Sequence, residues 1–417
     1  MATRRLPWFL AILALVMTPS FSQATNGDNL IGVGPISRAM GGVGIAAPQD
    51  AISAVFSNPA SMCFGSFCPS SQVDFAGTLF MPTVRASVTN GPQLFQSTSE
   101  HRIYPIPAMG ISWNFAELPK WRFGFGAYGI SGQGVNYLDT PLDRAFFPMG
   151  PPLAAGTFTD LMIMKFAPTI AYQPLPWLSL GIALNVDYST LNLGSGNAAN
   201  FGVGAQIGAI AKPLKNLSLG LTYTTPQRIR YRKVLDFDQN GRRDDLVLES
   251  PHTVGFGVAY EPFPKKLLLE ANIKWLNWSG AAGYGDFDWK DQIVVNFGVQ
   301  YKPIPKLALR AGYNYGNNPV KEHRGFNGLT PVYLQGQYIP QYYYETFRNI
   351  GFPAVTEHHL SVGAGYEITD RFIVNVGYVH GFNSKVTSTG TNILGQPTRL
   401  SSSLYTNAVD IGFSVRW

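Results

Sequence analysis

The chain has 417 residues, of which 13% are charged and 13% aromatic, with 44 glycines and a formal net charge of +6. Soluble proteins carry roughly 25% charged residues, so this chain is short of charge. Its basic residues are scattered apart from Arg228–Lys233, which argues against a nucleic-acid partner. There is no G-x-S-x-G and no H-E-x-x-H; His358 and His359 adjoin, but neighbours on a strand point to opposite faces. No enzyme is expected.

At the N-terminus Arg4 and Arg5 precede an apolar run, Leu6–Met17, followed by Ser22-Gln23-Ala24. This pattern predicts a signal peptide over residues 1–24. The run is shorter than the ~20 residues that a membrane-spanning helix needs. Residues 25–70 form a glycine- and alanine-rich segment, predicted to lie outside the strands. Residues 71–417 read as one transmembrane, up-and-down antiparallel β-barrel. Candidate strands start near Gln72, His101, Lys120, Thr157, Pro176, Asn200, Asn216, Glu249, Pro264, Trp289, Pro305, Thr356, Arg371 and Ser401, about fourteen in all, and bacterial barrels have even numbers. Alternation supports this reading. In Leu217–Tyr223 odd positions are apolar and even ones small or polar, and Val294–Tyr301 and Phe372–Tyr378 behave similarly. Lipid-facing apolar and lumen-facing polar side chains then cancel in the mean hydropathy of +0.02.

A turn motif punctuates the strands: Tyr172-Gln-Pro174, Ala211-Lys-Pro213, Tyr260-Glu-Pro262 and Tyr301-Lys-Pro303, with a degenerate copy at Tyr366-Glu-Ile. Proline cannot donate to a ladder, so these copies mark turns. Short turns on one side and long loops on the other match the asymmetry of outer-membrane barrels. Two long loops are predicted, Leu138–Gly156 and Asn317–Val355. The second contains Tyr333, Tyr338, Tyr342, Tyr343 and Tyr344, which either pack over the barrel mouth or form a ligand-collecting surface. The chain ends with Val409, Ile411, Phe413, Val415 and Trp417 on one face, resembling the signal read by the barrel-assembly machinery.

The segment Gly34-Pro-Ile-Ser-Arg38-Ala-Met-Gly41-Gly42, then Asp50-Ala51, then Asn58-Pro59-Ala60, resembles the FadL/TodX family of outer-membrane transporters for hydrophobic compounds. Trp275–Ser279, Leu309–Tyr313 and Val376–Gly381 are also similar, so the resemblance spans nearly the whole mature chain. It implies a fourteen-stranded barrel with an N-terminal hatch plugging the lumen. It also implies a monomer in contact with lipopolysaccharide, passively taking up long-chain fatty acids or aromatic hydrocarbons. The hatch would shift, and the solute would leave sideways through the wall at a kink in strand three. Carried over residue by residue, Asn58, Pro59 and Ala60 would hold the hatch against the wall, with Arg38, Gly41 and Gly42 matching less specifically. Asn-Pro also starts ordinary turns. Gly126, Tyr128 and Gly129 fall in the glycine-rich third strand, where a lateral opening is expected. Interior glycines in strands mark bends or close approach.

Two features stand apart from the family. Asp236, Asp238, Asn240 and Asp244, with Gly241, match the start of a calcium loop, although Val247 stands where its final glutamate should be. Asn240-Gly241 is equally a two-residue hairpin signal. No other cofactor is expected. Cys63 and Cys68 follow the hatch, and a periplasmic environment favours a disulfide between them. A general porin would lack a hatch, and a receptor or adhesin would rely on the tyrosine-rich loop.

Overall fold

The computed structural model describes residues 26–62, 71–100, 103–143, 157–194, 196–237 and 240–417. The signal-peptide region, Cys63, Cys68 and Asp238 lie outside the described residues.

Fourteen antiparallel strands close on themselves. In chain order they are β1 (Gln72–Asn90), β2 (Tyr104–Trp113), β3 (Trp121–Asn136), β4 (Phe158–Leu175), β5 (Leu178–Asn192), β6 (Asn197–Leu214), β7 (Leu217–Thr224), β8 (Thr253–Phe263), β9 (Leu267–Leu276), β10 (Gln292–Ile304), β11 (Leu307–Gly316), β12 (His358–Glu367), β13 (Phe372–Thr391) and β14 (Pro397–Arg416). Each pairs with its sequence neighbour, and β14 closes on β1 from Gln72↔Arg416 to Asn90↔Thr398. The expected strand starts lie within about four residues of these, the usual uncertainty of such boundaries.

Alternation is realised as two faces. On β14, Val409, Ile411 and Phe413 are exposed, while Asp410 and Ser414 are buried inside. On β5, Leu180, Ile182, Leu184 and Tyr188 face out, and Asn185 and Asp187 face in. The exposed belt of large apolar side chains therefore runs around the outside of the barrel, while many inward positions on the strands are polar. No described helix is long and apolar enough to cross a membrane; the crossing surface is the barrel.

The repeated motif has a single structural meaning. The ladder shifts register between Tyr172 and Leu175, Ala211 and Leu214, Tyr260 and Phe263, and Tyr301 and Ile304. Each shift contains one of the prolines. The residue before each proline donates its N–H to the neighbouring turn: Gln173 to Lys120, Lys212 to Trp177, Glu261 to Asn216 and Lys302 to Lys266. The degenerate copy keeps the link, Glu367 to Lys306. The short turns thus form a laced rim at the end where both β1 and β14 have their terminal residues.

At the opposite end, the two expected loops differ. Most of Leu138–Gly156 lies outside the described residues. Asn317–Val355 contains three short strands, a helix over Gln341–Thr346 and a wide turn over Phe347–Gly351. Tyr333 and Tyr338 are exposed and stack edge to face at 5.4 Å, whereas Tyr342, Tyr343 and Tyr344 are buried. Part of the tyrosine cluster is therefore packed inside and part of it is exposed. The loop after β7 folds as a hairpin, Gln227–Leu235 with Asp244–Ser250. Its Ile229 packs against Gly202 and its Tyr231 bonds Ser189, on the inner face of β6 and β5.

Candidate functional site: the hatch and the wall

Residues 26–62 fill the lumen. All are buried except Asn29, Leu30, Ala47 and Phe56, which are half-buried. Two short helices shape the segment, α1 (Pro35–Ala39) and α2 (Ala51–Ser57), followed by a turn over Pro59–Ser61. Proline opens α1, where its missing N–H costs nothing. Asp50 caps α2 through the N–H of Ser53 at 2.8 Å. Asp74 of β1 accepts the Ala51 N–H at 2.6 Å, so two carboxylates meet the helix N-terminus.

The Asn58-Pro59-Ala60 turn is fastened to β5, β6 and β7. Asn58 Nδ2 donates to the carbonyls of Ile45 (2.9 Å), Ala209 (3.2 Å) and Leu221 (3.3 Å), while its Oδ1 accepts from Ala60 N–H at 3.0 Å. Ser179 Oγ donates to the Ala60 carbonyl at 2.6 Å. The fit requires glycine in the wall. A Cβ on Gly208 would overlap Asn58 Oδ1, and one on Gly181 would overlap the Pro59 backbone.

Arg38 and the glycine pair lie across the lumen. Arg38 Nε reaches both oxygens of Asp410 on β14, at 2.9 and 3.1 Å, in a fully buried ion pair. Thr78 also donates to Asp410. Gly41 and Gly42 have φ of +72° and +83°, which glycine adopts without strain. Gly41 N–H donates to Ser361 Oγ at 2.9 Å, and Asn296 Nδ2 bonds its carbonyl. Here too the wall is cut back, at Gly298 and Gly312. Between these two anchorages, Glu270 Oε1 accepts the N–H groups of Gly44 (3.0 Å) and Ala46 (2.9 Å). Six expected hatch residues are thus brought into one wall-bonded segment. The wall partners Asp74, Ser179, Glu270, Asp410 and the glycines were not singled out from sequence, although their inward phase on the strands was available.

The third strand is irregular. β2 and β3 pair from Trp113↔Phe123 only as far as Ala108↔Tyr128, while β2 continues along β1 to Tyr104. β3 continues along β4 with a register shift between Gly129 and Ser131. Above Tyr128 the two strands therefore part. Pro105 and Pro107 of β2 have no N–H to offer a ladder there. The edge of β3 is met instead by the start of the hatch: Leu30 N–H donates to Ile130 O at 3.0 Å, Gly132 N–H to Asp28 O at 3.4 Å, and Asn29 bridges Ser131. A mostly apolar cavity of about 390 Å³ lies at this gap, lined by Tyr104–Pro107, Gly129, Gly132, Met162, Met164 and the Asp28–Leu30 segment. Of the expected trio, Gly129 lines the gap and Tyr128 is the last paired residue. Gly126 lies below, paired with Gly110, and faces Val55 of the hatch. A second cavity of about 120 Å³ lies in the lumen on the other side of Asn29 and Leu30.

The start of the hatch is clamped from above. Trp278 covers Gly27, and Tyr284 donates to Asp28 Oδ2. Trp278, Tyr284 and Trp289 form a box with centroid separations of 4.6 to 5.2 Å. Burial pushes the Asp28 carboxyl up to about 6, against the lowering effect of Tyr284 and Ser131.

In the Asp236 loop, Asp236 accepts the N–H groups of Asn240 (3.1 Å) and Gly241 (2.8 Å), and Asp244 accepts that of Phe237 (2.9 Å). Gly241 has φ +82°, as a hairpin turn requires. Among the described residues no three His, Cys, Asp or Glu side chains are grouped to hold a metal.

A closed fourteen-stranded barrel with an apolar outer belt and a folded N-terminal plug defines an outer-membrane β-barrel of the hatch-bearing kind. No protein-family model matches the sequence, and no curated protein does. Solved structures do. The toluene transporter TodX of Pseudomonas putida aligns over 93% of this chain and 99% of its own, with TM-score 0.61 at 16% identity. A FadL homologue of Pseudomonas aeruginosa aligns over 95% and 100%, with TM-score 0.67 at 13% identity. The toluene transporter TbuX of Ralstonia pickettii aligns over 93% and 98%, with TM-score 0.60 at 14% identity. The fold is that of the FadL-type channels, as the hatch motifs implied.

Proposed function

We propose that this protein is a passive outer-membrane channel for hydrophobic molecules, which leave the lumen sideways through the gap between β2 and β3. The observation that carries the reading is the apolar cavity of about 390 Å³ at a place where the wall lacks its ladder and a hatch segment takes the ladder's part. A greasy solute gains nothing from an aqueous pore, and a route that empties into the bilayer keeps its apolar surface out of water. The similarity of fold to two toluene transporters and a FadL homologue supports the class of solute. Displacement of Asp28–Leu30 would join the two cavities, and Asn58-Pro59-Ala60 would hold the rest of the hatch while this happens. A hatch filling the lumen disfavours a general porin. The reading needs no energy-coupling motif and no catalytic residue.

The test is uptake of labelled oleate and toluene by cells lacking their own such channel. They would carry either the wild-type protein or Gly129→Phe, which fills the gap. Surface levels would be matched by the heat-shift of the folded barrel. Uptake by the wild type that falls in the variant is expected. Equal uptake by both would remove the lateral route, and uptake of neither solute by the wild type would remove the transport reading.

A further inference from the structure

The hatch is not the only segment inside the barrel. Residues 342–356 are buried without exception, although they belong to the loop between β11 and β12 at the outer end. Phe347 packs edge to face on Phe287, Phe352 and Phe237, with centroids 4.9 to 6.0 Å apart. Pro353 and Ala354 reach down to line the cavity at the wall gap. A solute entering from outside meets this segment before it meets the hatch.

Charge holds the segment in place. Glu345 and Arg348 are both fully buried and pair at 2.9 Å. Arg348 also donates to the carbonyls of Phe287 (2.9 Å) and Lys321 (2.8 Å). Asn349 Nδ2 donates to Ser388 Oγ of β13 at 3.1 Å. His323 lies between two carboxylates, with Nδ1 on Glu345 and Nε2 on Asp288 at 2.9 Å. Only an imidazolium donates from both nitrogens; a neutral ring turns a lone pair toward one carboxylate. The other charges facing it are Arg348 from the buried segment, with Nη1 3.3 Å from Nδ1, and Lys321, which pairs with Asp288.

From this geometry we infer that Gln341–Val355 is an outer gate in series with the hatch, locked shut by the His323 imidazolium between Glu345 and Asp288. The gating role rests on the transport reading; the lock does not. Contact with Glu345 holds the His323 ring above its ordinary range, and burial and Arg348 oppose this. A raised folded value means that the stabilisation is fully present below the ordinary histidine range near 6.5 and is lost as pH rises through the folded value. The gate therefore loosens on the alkaline side.

Two measurements on the full-length protein in proteoliposomes test this. Amide exchange of residues 341–355, corrected for intrinsic rate, is expected to rise about tenfold between pH 5 and pH 9, the size of one charge-assisted hydrogen bond. His323→Gln should flatten the dependence. Exchange in the wild type that does not change with pH would overturn the lock. Asn349→Cys with Ser388→Cys should stop solute uptake when oxidised and restore it on reduction. Equal uptake in both states would overturn the gate while leaving the channel. If the reduced pair and the wild type both transport nothing, the transport reading and the gate fall together, and the exchange arm still decides the lock.

Discussion

Asn58 and Gly208 should behave as a coupled pair. Asn58 donates to two wall carbonyls, Ala209 and Leu221, besides its bonds to Ile45 and Ala60 within the hatch, so its truncation to alanine removes two hatch–wall hydrogen bonds at roughly 1 kcal/mol each. The docked state of the hatch should lose about 2 kcal/mol, roughly thirtyfold in its docked-to-undocked ratio. Gly208→Ala attacks the same contact from the wall: the new Cβ would overlap Asn58 Oδ1 and lie 2.9 Å from Cγ and 3.1 Å from Pro59 Cδ. Overpacking of this kind costs about 1–3 kcal/mol. In an Asn58→Ala background, Oδ1 and Cγ are gone and only the 3.1 Å contact remains, so Gly208→Ala should then cost little. Amide exchange over residues 44–61 reads hatch docking, and the heat-shift of the barrel reads the wall separately. Additive effects of the two substitutions, or exchange unchanged in Asn58→Ala, would refute the assignment of this turn as the hatch anchor.

Other outcomes follow from the same contacts. Pro59→Lys should impair uptake of the hydrophobic solute while the barrel keeps its heat-shift, because Pro59 is buried against Gly181 and Gly208 of the wall, where burying a lysine ammonium is costly. Arg38→Met should cost about 3–5 kcal/mol of hatch docking by leaving Asp410 buried without its cation, and Arg38→Met with Asp410→Leu should recover much of it; chemical denaturation followed by hatch exchange checks both. Asp28 has its carboxyl raised to about 6 by burial, so the docked segment holds a proton that the free segment releases near 4. Docking of residues 26–32 is therefore strongest at low pH and weakens as pH rises past 4 towards 6. Exchange there, corrected for intrinsic rate, should be slower at pH 5 than at pH 8, and Asp28→Asn should abolish the difference. Mass measurement with and without reductant should show a bond between Cys63 and Cys68, and two free thiols in the unreduced protein would refute it.

What was legible in the sequence was what is local. The repeated proline motif marks a turn because proline lacks a donor wherever it stands, and all four copies, three beginning with tyrosine and one with Ala211, sit in register shifts of the ladder. Period two in Leu217–Tyr223 says which side chains face lipid without naming the neighbouring strand. The hatch–wall bonds were not legible, since Arg38 and Asp410 are 372 positions apart and alternation says only that Asp410 points inward. The parting of β2 from β3 was expected only through the family resemblance, because it is a pairing not made; the glycines of β3 and the prolines of β2 each permit it, and neither requires it alone. The buried Gln341–Thr346 helix carries three consecutive tyrosines and no side-chain cap, so no periodic pattern separated it from an exposed loop.

The way the hatch is held bears on whether it can move. A plug packed by interdigitated apolar side chains would lose its contacts outright on leaving, with nothing to replace them. This hatch does pack apolar side chains on the wall, Met40 and Val43 with Ala259 and Leu268 and Ile31 with Val379 and Ala408. It also meets the wall through polar contacts: Asn58, Arg38 and backbone N–H groups of the hatch on wall carbonyls, Asp410 and Glu270, beside glycines that let the main chain approach. Polar partners of this kind exchange for water at small net cost when both sides are solvated together, and at large cost when one is left buried and unpaired. For these polar contacts, motion of the whole segment with water entering behind it is therefore cheaper than loss of one partner in place. The same reasoning explains why Arg38→Met alone should be worse for docking than removal of both charges. It also separates hatch from wall, because none of these contacts belongs to the ladder that closes β14 on β1.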